Sequence, residues 1–195
     1  MGFGVVGVDL AGLPRRVTGL CYLDTRLVCE LTKAGGDEEI LSFIFERRPE
    51  VIAIDAPLSF PREGMFRSCE REVMRLGARP LSPLLKSMKA LTERAMRLRR
   101  VLEGEGYKVI EVFPTGARRL LNLPPKRMGR RVLREALAAQ GLKNIPEDAD
   151  QHLLDAAICA LIGLYYLRGE YLEVGDPEEG VIILPKPRKL DTSSK

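Results

Sequence analysis

The sequence has no tryptophan and a single histidine, His152, among its 195 residues. Any imidazole chemistry therefore falls to that residue, and with six Phe and five Tyr there are few aromatic side chains on which bases could stack. The four cysteines contain no C-x-x-C pair, which excludes the ligand spacing of a zinc ribbon. No motif in the sequence indicates that the protein recognises a specific base sequence.

Long hydrophobic runs are also missing. No apolar stretch reaches the ~18 residues that a membrane helix needs, and no basic segment precedes an apolar one at the N-terminus. We therefore expect a cytoplasmic protein with no membrane partner. Asn and Gln are scarce, with two of each against 30% charged residues, and this composition is typical of a thermophile.

Positive charge is concentrated in the middle of the chain. Between Arg62 and Arg131 there are 18 basic and seven acidic residues, whereas the rest of the chain carries a net charge of −7. This asymmetry is typical of a protein that binds a polyanion around a cation-dependent site. It suits a salt-bridge-rich thermophilic surface equally well, so charge alone leaves both interpretations open.

Three short apolar runs each end in a carboxylate, followed by residues at which the chain can turn. The runs cover residues 3–9, 51–55 and 109–111 and end at Asp9, Asp55 and Glu111. Because an unpaired buried carboxylate is costly, each acid should meet a cation, a hydrogen-bond donor or water. If the first and fourth strands are parallel neighbours, Asp9 and Asp55 lie side by side where α/β sheets bind ligands.

The order of the predicted elements indicates an α/β fold with a mixed sheet. An antiparallel meander of three strands is followed by a helix, a buried strand, an insertion, a long helix, a fifth strand and further helices. The insertion covers residues 56–85 and is basic and rich in Pro and Gly. We expect a single domain over residues 1–185 that ends in a small hairpin, and a flexible basic tail over residues 186–195.

The last predicted helix carries an acid in apolar company. Asp155 precedes Ala-Ala-Ile-Cys-Ala-Leu, so its carboxylate cannot rely on bulk water. We interpret it as a metal ligand or base that faces Asp9 and Asp55, with a hydrogen bond to backbone or to an Arg as the alternative. His152 lies one turn earlier; an isolated helical histidine is more often a surface or capping residue than a catalyst.

Asp9, Asp55 and Asp155 offer hard oxygen donors without thiolate or clustered imidazole, which favours Mg²⁺ or Mn²⁺ over zinc. Three converging carboxylates would repel one another unless a cation neutralised them. Two ions about 4 Å apart could align a water and stabilise the leaving oxygen in phosphodiester hydrolysis. Glu111 is either a further catalytic residue or the partner of an Arg from the insertion on the other face of the sheet.

Basic side chains at helical spacing form the predicted nucleic-acid surface. They lie on a short helix of the insertion and on the far face of the long helix that follows: Arg67, Arg71, Lys86, Lys89, Arg97 and Arg100. Glu93 lies between Lys89 and Arg97 at i+4 spacing, so part of this face can be salt-bridged to itself.

Six motifs resemble, in order and spacing, a domain-of-unknown-function family described as predicted nucleases with a ribonuclease H-like fold, related to the Holliday-junction resolvases. They are Gly7-Val-Asp9-Leu-Ala, Ile54-Asp55-Ala-Pro57-Leu, Arg67-Ser-Cys-Glu70, Ile110-Glu111-Val-Phe-Pro114, Asp155-Ala-Ala-Ile-Cys-Ala-Leu and Glu179-Gly-Val-Ile-Ile-Leu-Pro185. The resemblance implies a five-stranded sheet in the order 3-2-1-4-5. It also implies a divalent-metal-dependent nuclease of structured or branched DNA, or of RNA.

The resemblance further implies roles for single residues. Asp9 matches the acid of the first strand, Asp55 that of the fourth strand and Asp155 that of the last helix. Asp9 and Asp155 would hold the ions and Asp55 would bridge or orient them, while His152 or Glu111 would assist proton movement. One departure is that the fourth-strand acid of the resolvases is typically a Glu, whereas Asp55 is shorter.

Two other functions remain open. The first is a catalytically inactive module of the same fold that binds nucleic acid or protein, and a Lys or Arg head among the three carboxylates would favour it. The second is a phosphotransferase of the actin-like ATPase superfamily, which Asp9-Leu-Ala-Gly12 suggests but which needs two duplicated domains. The expected partner is nucleic acid, with a homodimer as an option.

Overall fold

The computed structural model describes residues 4–186. Its main sheet has the strand order β3-β2-β1-β4-β5, in which β1 to β3 are antiparallel and β4 and β5 run parallel to β1. The strands are β1 (Gly4–Asp9), β2 (Thr18–Asp24), β3 (Cys29–Ala34), β4 (Val51–Ile54) and β5 (Lys108–Glu111). The predicted mixed sheet and its strand order are confirmed.

Six α-helices and a hairpin accompany the sheet within residues 4–186. The helices are α1 (Asp37–Arg47), α2 (Ser68–Arg75), α3 (Lys86–Gly104), α4 (Pro114–Leu120), α5 (Arg130–Ala139) and α6 (Gln151–Leu167), with a short 3-10 helix over Lys126–Met128. The hairpin consists of β6 (Tyr171–Asp176) and β7 (Gly180–Pro185), as predicted. The predicted insertion contains α2 and the loops on either side of it.

The two faces of the sheet are both buried, and alternate strand residues project to opposite faces. Val5 and Val51 pack in the cluster that contains α6, α2, α4, α5 and the hairpin, whereas Val6 and Ile52 pack against α1 and α3. Two-sided burial explains why β1 and β4 are continuous apolar runs rather than alternating ones. The same alternation places the side chains of Asp9 and Asp55 on the α6 face.

Helix α6 lies directly on the sheet because two glycines leave room for its backbone. A Cβ at Gly7 would lie 2.2 Å from the carbonyl oxygen of Ala156, and one at Gly19 would lie 2.2 Å from that of His152. This close approach brings the first turns of α6, with His152 and Asp155, over the end of β1.

Several predictions about the whole chain are not tested by this arrangement. The extent of the domain, residues 1–185, stays a prediction, and residues 187–195 of the expected basic tail lie outside the described residues. Within residues 4–186, no helix combines the length and the apolar character that a bilayer crossing demands.

Candidate active site

Asp9 and Asp55 occupy matching positions at the ends of two parallel strands. Val8 of β1 pairs with Ile54 of β4, and the backbone N–H of Asp55 donates to the carbonyl oxygen of Val8 at 2.9 Å. The next pair along is therefore Asp9 and Asp55, on strands ~4.8 Å apart and on the same face. The register brings together two acids that are distant in sequence.

His152 fixes the side chain of Asp9. Its Nδ1, in the first turn of α6, donates a hydrogen bond to Oδ2 of Asp9 at 2.6 Å, while about half of the side chain is exposed. Burial raises the pKa of Asp9; the hydrogen bond from His152 opposes this increase and the negative charge of Asp155 adds to it.

The carboxylate of Asp55 has no hydrogen-bond or ion-pair partner among residues 4–186. Its removal from water raises its pKa well above the usual range, and the charges of Asp9 and Asp155 raise it further. An acid in this position is costly to ionise, and a bound cation would relieve that cost. Asp55 is the clearest indication of a cation site in the described part of the chain.

Asp155 is held by two positive side chains. Nη2 of Arg118, in α4, lies 2.8 Å from Oδ1 of Asp155, and Nζ of Lys126 lies 3.2 Å from Oδ2. Arg118 is buried, whereas the side chain of Lys126 is 53% exposed. Sequence reasoning allowed for an Arg partner of Asp155 but identified neither residue, because nothing in the pattern of residues 114–128 connects them to α6.

Glu111 is the partner of an Arg from the insertion, and the structure corrects its placement among the catalytic residues. Glu111 pairs in register with Ile54, so its side chain projects to the face opposite Asp55. Arg67 donates to Oε1 at 2.5 Å and to Oε2 at 2.8 Å, and the N–H of Leu58 donates to Oε2 at 2.8 Å. Three donors satisfy this carboxylate without a metal.

The prediction that Arg67 binds nucleic acid is wrong, because its side chain is 0% exposed. Its guanidinium contacts Glu70, Glu111 and the hydroxyl of Ser59, so it cannot reach a phosphate. Among the described residues, only Cys69, Glu70 and Glu111 place three potential ligand atoms within 4.8 Å of one another. Because the guanidinium of Arg67 already donates to both carboxylates and offsets one of their two charges, we do not regard this cluster as a metal centre.

The three aspartates fit a divalent ion in part. Asp9 and Asp55 offer adjacent oxygen donors and make no ion pair with Lys or Arg in residues 4–186, which suits Mg²⁺ or Mn²⁺. Asp155 does not complete a group of three within 4.8 Å. It could join such an ion only after Lys126 moved away from Oδ2.

The remaining predicted nucleic-acid residues are exposed and lie at different distances from this site. Lys86 and Lys89 are in the first turns of α3, whose Met88 and Leu91 line a cavity together with Asp9 and Asp55. Arg97 and Arg100 lie roughly 12–17 Å beyond Lys89 along the helix at 1.5 Å per residue. Arg71 is exposed on α2. Their contact with nucleic acid stays a prediction.

Two solved structures of RuvC from Thermus thermophilus resemble this fold. RuvC in complex with a Holliday junction substrate gives a TM-score of 0.53 at 19% identity, over 86% of this chain and 96% of the RuvC chain. A second RuvC structure gives 0.51 at 18% identity, over 86% and 97%. These matches confirm the ribonuclease H-like fold.

Comparison of the sequence with curated proteins finds no match. A family described as "Protein of unknown function (DUF429)" matches residues 7–180, which is most of the chain. The chain therefore belongs to the DUF429 family, in agreement with the resemblance of its motifs.

Proposed function

We propose that this protein is a divalent-metal-dependent nuclease that hydrolyses phosphodiester bonds of structured DNA or RNA. The observation that carries the proposal is the carboxylate of Asp55, which has no partner within residues 4–186. It lies beside Asp9, at the ends of parallel strands and on the face that receives Asp155. Such a concentration of negative charge suits a divalent cation. The solved RuvC structure of similar fold holds a Holliday junction, which supports branched nucleic acid as the substrate class.

The side chains of the site have distinct tasks in this proposal. Mg²⁺ or Mn²⁺ would align the attacking water and stabilise the leaving oxygen. Asp9 and Asp55 would hold the ion, and His152 keeps Asp9 in place through its Nδ1–H. The side chain of His152 is 53% exposed, so it can contact the substrate and assist proton movement. Lys126, released from Asp155, can contact a phosphate.

A catalytically inactive binding module is the second candidate, and a specific observation favours it. Arg118 and Lys126 contact both oxygens of Asp155, so one of the three acids is already neutralised by the protein itself. Residues 4–186 contain one five-stranded sheet, so no observation favours the phosphotransferase. The homodimer, the cytoplasmic location and the thermophilic origin stay predictions.

Cleavage assays separate the two candidates. We expect the protein to cut a fluorescent four-way junction or an RNA–DNA hybrid with Mg²⁺ or Mn²⁺ but not with EDTA. Asp55→Asn should abolish cleavage, whereas Asp148→Asn, which changes an exposed acid just before α6, should not. If the wild type bound these substrates but cut none of them with either ion, the inactive module would be the correct function.

A further inference from the structure

A cavity of about 400 Å³ opens beside the two aspartates at the strand ends. Besides Asp9 and Asp55 it is lined by residues at the end of β5, by the first turns of α3 and by residues 79–81 of the insertion. Many of its other lining residues are apolar: Leu10, Pro57, Leu81, Met88, Leu91 and Phe113. Acids that hold a cation at a backbone phosphate do not themselves account for an apolar wall of this extent, so it requires another explanation.

We propose that the cavity receives one unstacked nucleobase of the bound nucleic acid, adjacent to the phosphate that faces Asp9 and Asp55. This inference rests on the proposed function. The volume lies within the ~300–1,000 Å³ of typical small-molecule sites. Enzymes that take a base out of the stack hold it between aromatic and apolar side chains, and half-buried Phe113, Met88 and Leu91 can provide such a pocket.

The polar groups of the cavity do not favour one base over another. Glu70 and Glu111 are lining residues, but Arg67 already donates to both carboxylates, so they are not free to bind a base. The lining residues Arg79 and Thr115 are exposed. We therefore expect the pocket to hold a base by apolar contact and stacking, with little preference among the bases. Arg79 is placed to contact a neighbouring phosphate.

The wall of the cavity is held in place rather than being a loose loop. Arg67, at the start of α2, joins the insertion to β5 through Glu111, and the hydroxyl of Ser82 donates to the carbonyl oxygen of Met65. A preformed pocket avoids the cost of ordering a loop when the base enters.

Nucleotide binding tests the pocket without reference to cleavage. With Mn²⁺ present, dCMP, dAMP and TMP should all bind more tightly than deoxyribose 5-phosphate. Met88→Trp, which fills the cavity, should weaken dCMP binding about tenfold or more, the scale on which hydrophobic pockets discriminate between ligands. Val101→Trp, on the exposed side of the same helix, should change nothing. Both variants should keep the metal-induced thermal shift of the wild type.

A second measurement distinguishes a base within a strand from a free nucleotide. 2-Aminopurine, placed at successive positions near the branch point of a four-way junction, should brighten at one position when wild-type protein binds, but not when Met88→Trp binds. Binding of dCMP without brightening at any position would overturn the proposal and indicate a free nucleotide. Equal binding of dCMP and deoxyribose 5-phosphate would also overturn it.

The test of the base pocket can succeed or fail independently of the test of nuclease activity. Cleavage without any role for a base would leave the nuclease intact and remove the pocket. A brightened base together with dCMP binding, but without cleavage, would support the pocket and establish an inactive binding module.

Discussion

Three aspartates with the same chemistry have three different surroundings. Asp9 accepts a hydrogen bond from an exposed histidine, Asp155 is held between Arg118 and Lys126, and Asp55 has no partner in the described residues. The negative charge of the site is therefore left unbalanced mainly at Asp55. Predictions about metal binding consequently start from this residue.

Asp55→Asn should stabilise the metal-free protein at alkaline pH. Burial and the charges of Asp9 and Asp155 raise the pKa of Asp55 in the folded state. Below the pKa of the unfolded state, near 3.9, Asp55 is neutral and its contribution to the free energy of unfolding is present in full. This contribution is lost as pH rises through the higher pKa of Asp55 in the folded state. With EDTA at pH 8, the Asn variant should therefore have the higher free energy of unfolding. The difference should shrink as pH falls toward about 4.

The same variant should lose its response to metal. Mn²⁺ should raise the melting temperature of the wild type and leave that of Asp55→Asn nearly unchanged, because a ligand that binds only the folded state stabilises it. Asp148→Asn should behave as wild type with and without Mn²⁺. An Asn variant that is less stable at pH 8, or that keeps the full metal response, would contradict a cation site at Asp55.

Lys126→Met should tighten metal binding. The ammonium group of Lys126 lies at Oδ2 of Asp155 and opposes the raised pKa of both Asp9 and Asp55, so it competes with a divalent ion for the same negative charge. Thermal-shift titration should reach its midpoint at a severalfold lower Mn²⁺ concentration. Arg127→Met removes a neighbouring exposed charge and should leave the midpoint in place. A midpoint that moves to higher concentration would show that Lys126 supports the site.

The acids of this site could be predicted from sequence, but their partners could not. An Asp that ends or interrupts an apolar run is conspicuous because its burial is costly. The contacts of Arg118 and Lys126 depend on how α4 and the 3-10 helix pack against α6, and no local pattern encodes that packing. Arg67 shares i+4 spacing with Arg71, yet α2 begins at Ser68, so Arg67 precedes the helix and turns inward.

The insertion over residues 56–85 is joined to the core at several points along its length. Arg67 binds Glu111 at the end of β5, and Glu179 of the hairpin accepts hydrogen bonds from the backbone of Arg62 and Ser68. One wall of the cavity is thus connected both to the sheet and to the hairpin. Removal of the Arg67 side chain should loosen all three parts together.

Arg67→Ala should be strongly destabilising, by about 3–5 kcal/mol, because it leaves Glu70 and Glu111 buried without their counter-ion. Arg71→Ala, one turn further on and exposed, should change the free energy of unfolding by less than about 0.5 kcal/mol. Urea unfolding curves measure both values. Similar losses of stability for the two variants would mean that the buried ion pair does not anchor the insertion.

The arrangement of helices and strands was more predictable than the side-chain contacts that stabilise it. An antiparallel meander followed by a helical crossover to a buried strand allows few topologies, and the resemblance of the motifs to a known family implied the order 3-2-1-4-5 among them. Arg94 shows what the pattern misses. Although α3 is basic along its length, this one residue is buried and binds Asp37 and the carbonyl oxygens of Ala11 and Gly35. It thereby fixes the loop that follows Asp9.

Across the whole molecule, the positive charge of α3 extends from the cavity toward the opposite ends of the strands. Lys86 and Lys89 lie on the turns that carry Met88 and Leu91, beside the site, whereas Arg97 and Arg100 lie further along. If a nucleic acid places its phosphate at Asp9 and Asp55, the nearer pair of cations should contact the flanking backbone. The farther pair serves as a control of equal charge on the same helix.

Replacing Lys86 and Lys89 together by Glu should weaken binding of a four-way junction in EDTA more than the same replacement of Arg97 and Arg100. Each bound phosphate releases counter-ions, so the slope of log affinity against log salt should fall by about 0.9 for every phosphate that the variant no longer binds. Anisotropy titrations between about 50 and 200 mM salt give this slope for wild type and both variants. An equal effect of the two pairs would show that the strand lies along the whole of α3. A larger effect of the farther pair would place it away from the strand ends, where Asp9 and Asp55 could not reach its phosphate.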